Sequence, residues 1–104
     1  MFQRVLVAYD SSDGAKKALD AAVSVARRDS AELIGLAIEA HLPHYGATVG
    51  EVEEERRFEE QACTQLLAEA SSYAAERGVA MQPDIRAGHP AQEIVRAAHD
   101  KAPT

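Results

Sequence analysis

Two hydrophobic periodicities alternate along the chain. Val5-Leu6-Val7-Ala8 is a continuous apolar run with β-branched members, which predicts a parallel strand covered on both faces, of the kind found centrally in a sheet. Asp10-Ser11-Ser12-Asp13-Gly14 breaks the run with side chains whose oxygens accept the free N–H groups of a helix start. Ala15, Ala18, Leu19, Ala22, Val23 and Ala26 then recur at helical spacing, while Lys16, Lys17, Asp20, Arg27 and Arg28 fall outside that stripe. A helix with one face on a sheet is expected. Residues 33–38 form a second buried-type run, interrupted by Gly35, and right-handed crossover makes it the parallel neighbour of the first.

Residues 41–50 carry Pro43, Gly46 and Gly50 with little periodicity, predicting a loop long enough to act as a flap over a site. Residues 51–77 predict a long helix with an acidic first turn, a ridge of Phe58, Ala62, Leu66, Ala70 and Tyr73, and Cys63, Leu67 and Ala74 beside it. Gly78 supplies a left-handed stop, after which Val79, Met81, Ile85 and Ala87 alternate with mostly polar residues as a half-exposed strand. Pro83 lies inside that strand and has no N–H to give a ladder, which puts the strand at a sheet edge. Gly88-His89-Pro90 turns the chain into a last helix, its buried face expected at Ala91, Ile94, Val95 and Ala98. The order β-α-β-loop-α-β-α, without internal repeat or low-complexity segment, predicts an α/β parallel sheet between helix layers.

Composition narrows the function classes. The 104 residues, 46% hydrophobic and 27% charged, suit one compact domain, and 5% aromatics without tryptophan leave Val, Leu, Ile and Ala to build the core. A formal net charge of −6 with no basic patch disfavours nucleic acid and anionic membranes as partners. Cys63 is the only cysteine, so no intramolecular disulfide forms, and the first residues carry no stretch resembling a signal peptide. No window reaches the roughly 18 consecutive apolar residues that span a bilayer, and the expected location is cytoplasmic.

Several chemical readings compete with ordinary ones. Asp10 with Asp13 suggests the acidic pocket of a phospho-accepting receiver domain, but the strand that would supply its further aspartate ends in Ala87-Gly88, which argues against it. His41 and His44, three apart with Glu51 nearby, have a spacing that zinc accepts, but His89 and His99 are distant and no Cys-x-x-Cys supports a site. Solvent-facing loop histidines are the expectation. Cys63 has no adjacent Lys or His to activate it and reads as packing. Residues 51–60 read as a solvated acidic helix face with Glu53 to Arg57 pairing, and 46–50 lack the Gly-Lys-Ser/Thr ending of a phosphate loop.

The opening run from Arg4 through Asp13, the small-residue helix to Ala26, and Ala31-Glu32-Leu33-Ile34-Gly35-Leu36-Ala37-Ile38 together resemble the universal stress protein family. Gly88-His89-Pro90-Ala91-Gln92-Glu93-Ile94 resembles that family's later G-x-P-x-x-x-I turn, so the likeness runs through essentially the whole chain in order and spacing. It implies a flavodoxin-like fold of the adenine nucleotide alpha hydrolase type, whose family strand order is 3-2-1-4-5, with residues 1–104 forming one C-terminally incomplete domain that lacks the last two strands. The third strand then lies at an edge, in agreement with Pro83.

In nucleotide-binding members the end of the first strand contributes an aspartate near the ribose and backbone near the adenine; those positions match Ala8, Tyr9 and Asp10 here, and Ile38 matches the adenine-side position on strand two. The physical logic is that the carboxyl ends of parallel strands form a crevice where the strand order reverses. The resemblance implies a stress-response regulatory protein that binds ATP or another adenine nucleotide when complete, without robust turnover, and the residues give no expectation of a catalytic group or a metal. The family's phosphate-binding glycine run belongs after a fourth strand, and the chain ends at Thr104 where that strand would begin. The expectation is therefore a sheet without strands four and five over these residues, with strand one along an edge that is covered either by a further C-terminal portion or by a second copy or sheet-completing partner. The alternative is a dimerisation or interaction module that binds no nucleotide. Electron-transfer flavoproteins and nucleotidyl-transfer domains share the architecture without a supporting motif here.

Overall fold

The computed structural model describes residues 1–39, 46 and 48–102. Its elements are β1 (Arg4–Ala8), α1 (Asp13–Asp29), β2 (Glu32–Glu39), α2 (Val49–Glu76), β3 (Met81–Ala87) and α3 (Pro90–Asp100). Among the described residues the strands form one parallel sheet in the order β1-β2-β3. Ala8 stands opposite Leu36, and Pro83 stands opposite Gly35. β3 is an edge strand, as the missing N–H of Pro83 requires. The central place belongs to β2, buried continuously from Leu33 to Ala37, while β1 pairs on one side only and leaves Val5, Leu6 and Ala8 half-buried.

Alternation along β2 divides the core in two. Leu33 and Ala37 join Val7 and Met81 in a cluster with Leu19, Val23 and Ala26 of α1 and Cys63, Leu67, Ala70 and Ala74 of α2. Ile34 and Leu36, equally buried, point to the opposite side of the strand, and α3 packs against β2 as well. α1 covers β1 and β2; α2 covers β2 and β3.

Each helix is bounded by local chemistry. Ser12 caps α1 by accepting from the Ala15 N–H, and Ser30 ends it in the left-handed region at φ 52°. Thr48 caps α2 by accepting from the Glu51 N–H, so this helix begins at Val49, two residues before the acidic run suggests. Gly78, at φ 81°, closes α2. Most of the 41–50 stretch, read as a flap-forming loop, lies outside the described residues.

Three predicted helix faces are corrected. On α1, Ala18 is exposed although it belongs to the apolar stripe. On α2, Phe58 and Ala62 are exposed, Phe58 by 73%, and burial starts only at Cys63. The cause is length: 28 residues at about 1.5 Å each run well past a sheet of five- to eight-residue strands. The resulting molecule measures 50 × 29 × 20 Å. On α3 the buried positions are Glu93 and Ala97, while Ala91, Ile94, Val95 and Ala98 are exposed. This helix meets the sheet chiefly through β2, so only the narrow Glu93 and Ala97 side presses on it.

Candidate functional site

The turn that leaves β1 is built by side chains that bond their own backbone. Tyr9 extends the pairing beyond the strand, its N–H donating to Leu36 O at 2.8 Å. Ser11 then adopts φ 60°, a left-handed conformation that costs a non-glycine residue energy and is tolerated where surrounding bonds over-determine it. Those bonds are present: Ser12 N–H donates to Asp10 Oδ1 at 3.0 Å, and Ala15 N–H donates to Ser12 Oγ at 3.1 Å. The Ser12 hydroxyl and then its backbone N–H hold the Asp10 carboxyl below its usual range, so Asp10 is an exposed, ionised carboxylate at neutral pH.

A cavity of about 570 Å³ opens beside this turn, at the carboxyl ends of β1 and β2. Ala8, Tyr9, Asp10 and Ile38, the four residues singled out by the resemblance, all line it. Leu36 and Ile38 contribute from β2, Leu66 from α2, and Pro90 and Ile94 from α3. Leu66 carries no signal in the sequence that would assign it to the same site as Asp10, while Pro90 and Ile94 belong to the Gly88-to-Ile94 turn quoted for the resemblance, which the sequence reading did not connect with Asp10. Gly88 directs Pro90 and Ile94 to the cavity: at φ 139° it donates its N–H to Glu39 O and turns α3 back over the strand ends.

Tyr9 is buried, and its phenol points toward α2. Burial first, then the Glu69 carboxylate that holds its hydroxyl, push its pKa up, so it stays a neutral phenol. Cys63 is buried in the cluster under α2, and burial pushes its thiol up, which removes it from nucleophilic chemistry at neutral pH. Other hollows lie on the outer surface of α2 and at the opposite end of the sheet, away from the strands' carboxyl ends. Among the described residues no three His, Cys, Asp or Glu side chains converge to hold a metal ion. His41 and His44 lie outside the described residues. No helix among the described residues is long and apolar enough to cross a membrane.

A three-layered parallel α/β unit with a ligand-sized crevice at its strand ends defines a class of domain, and comparison with known proteins gives the family. The sequence model of the Universal stress protein family matches residues 1–104. Universal stress protein YxiE of Bacillus subtilis (strain 168) is 38% identical over 109 residues, which cover 97% of this chain and 74% of that protein. The solved structure of universal stress protein UspA from Lactobacillus plantarum is 25% identical, with a TM-score of 0.82 over 95% of this chain and 70% of that one. Two more distant structures share the fold. A universal stress protein in complex with cAMP is 22% identical, with a TM-score of 0.71 over 94% of this chain and 69% of that one. An Arabidopsis thaliana family member with AMP bound is 17% identical, with a TM-score of 0.69 over 95% of this chain and 71% of that one. The chain belongs to the universal stress protein family.

Proposed function

We propose that this chain acts as one stress-response regulatory domain that binds the adenosine part of an adenine nucleotide, AMP, cAMP or ATP, in the cavity beside Asp10, and that it works by binding rather than turnover. The observation that carries the reading is the gathering of Ala8, Tyr9, Asp10 and Ile38 on one cavity. Its volume of about 570 Å³ falls among ordinary ligand sites. Apolar side chains from Ala8, Leu36, Ile38 and Ile94 suit the faces of a heteroaromatic base, and an ionised carboxylate at the lip suits sugar hydroxyls. The cAMP and AMP bound to structures of the same fold agree with that ligand class.

Calorimetric titration of AMP into the chain tests it. Binding is expected, weakened about tenfold in Asp10→Ala by loss of a hydrogen bond to a charged acceptor. Absence of binding by the parent chain would overturn the reading.

A second reading, an interaction module that binds no nucleotide, is favoured by the edge of β1, which among the described residues pairs only with β2 and leaves Val5, Leu6 and Ala8 half-buried: a second copy or a partner chain adds to the sheet there. Light scattering on the parent chain and on Leu6→Lys distinguishes this, since an assembly through that edge should dissociate in the variant.

A further inference from the structure

The selectivity of the cavity follows from its charge, given the adenine-nucleotide reading above. Among the described lining residues Asp10 carries the only ionised side chain, and neither lysine nor arginine lines the cavity. Lys16 and Lys17 stand on α1 but are not lining residues. Two helices begin beside the cavity, and a helix start ordinarily offers N–H groups and positive potential to a phosphate. Part of each start is already committed or blocked. In α1 the Ala15 N–H goes to Ser12 Oγ, the Ser12 N–H to Asp10, and Asp13 stands in the first turn. In α3 the first position is Pro90, which has no N–H, and Glu93 stands in the first turn, its carboxylate held by Arg96 at 3.0 Å. A polyphosphate placed here would meet the Asp10 carboxylate and no lysine or arginine among the described lining residues, within a chain of net charge −6.

We propose that the cavity discriminates within the adenosine series by charge, binding adenosine more tightly than AMP and AMP more tightly than ATP, with phosphate groups left in solvent. This ranking is an electrostatic property of the lining side chains. It therefore weakens as salt screens the carboxylates, while the apolar contacts to the base persist.

Calorimetric titration of adenosine, AMP and ATP into the chain, without divalent cation and at low and high salt, tests the ranking. At low salt adenosine is expected to bind about tenfold more tightly than ATP, and the gap is expected to close at high salt. Ala18→Lys adds a cation at an exposed lining position where lysine is a good helix former, and it should raise ATP affinity relative to adenosine about fivefold. Asp10→Asn should move the ratio the same way. ATP binding as tightly as adenosine, or a ratio unmoved in both variants, would overturn the charge proposal and leave the adenine reading intact. No binding by any of the three would overturn both.

Discussion

The backbone N–H of Ser12 donates to Oδ1 of Asp10 at 3.0 Å, so the carboxylate at the mouth of the cavity also closes the strand-to-helix turn. Structure and binding are therefore not separable at this residue by a simple truncation. Asp10→Ala is expected to cost about 0.5–1 kcal/mol, the worth of a local side-chain to backbone cap. Asp10→Asn keeps an acceptor for the Ser12 N–H and should cost about half as much. Urea unfolding of the two variants measures the difference; equal losses would mean that Asp10 does not brace the turn.

Asp29 makes acid sensitivity predictable. Arg28, bonded to its carboxylate at 2.9 Å, and then the Phe2 N–H hold its pKa at about 2, below the ordinary 3.8. The unfolded chain takes up that proton at higher pH than the folded one, so the stabilisation is complete above about pH 5 and drains away as pH falls toward about 2. Asp10 and Asp100 are shifted in the same direction, by Ser12 and Arg86 respectively. Urea midpoints measured across this range should fall with pH, and less steeply for Asp29→Asn. An unchanged slope in the variant would remove Asp29 from the explanation.

Gly35 leaves room for the end of its neighbour's side chain across the sheet. A Cβ at this position would stand 2.5 Å from Met81 Sδ and 2.7 Å from its Cε, both too close. Met81 is buried, and its displacement disturbs the cluster between β2, β3 and α2. Gly35→Ala should cost no more than about 1 kcal/mol, because the flexible thioether of Met81 can shift aside, and adding Met81→Ala should remove the coupling between the two positions. Strict additivity of the two changes would show that they do not meet.

The orientation of α3 is tested by two residues two positions apart. Val95 is 70% exposed and Ala97 0%. Val95→Asp should change stability by no more than about 0.5 kcal/mol, whereas Ala97→Asp places an unpaired carboxylate against the sheet and should cost more than about 3 kcal/mol. Thermal unfolding decides it. Heavy damage from Val95→Asp with little from Ala97→Asp would return α3 to the orientation expected from its apolar periodicity.

Much of this arrangement is written in local pattern. The unbroken apolar run of Val5 to Ala8 and that of Leu33 to Ile38 mark parallel strands because neither leaves room for a wet face. Pro83 declares its strand an edge because it lacks a donor. Ala8, Tyr9, Asp10 and Ile38 meet on one cavity because they end neighbouring parallel strands, a consequence of connectivity that the residue order already contains. The helix faces were less legible. Periodicity reports that Phe58 and Val95 lie on apolar stripes, but whether a stripe is covered depends on how far the sheet reaches beneath it. Leu66 reaches the cavity only through tertiary packing, which no short motif encodes, and the turn motif holding Pro90 and Ile94 gives their spacing but not the side of the sheet they meet.

Amide chemical-shift mapping on the isotopically labelled chain during titration with AMP tests the central claim most directly. The account predicts shifts at Ala8, Tyr9, Asp10 and Ile38, joined by Gly88 and Ile94, with Gly78 and Gln82 at the far end of the sheet unmoved. Shifts confined to the Gly78 and Gln82 end, or none at the ends of β1 and β2, would contradict it.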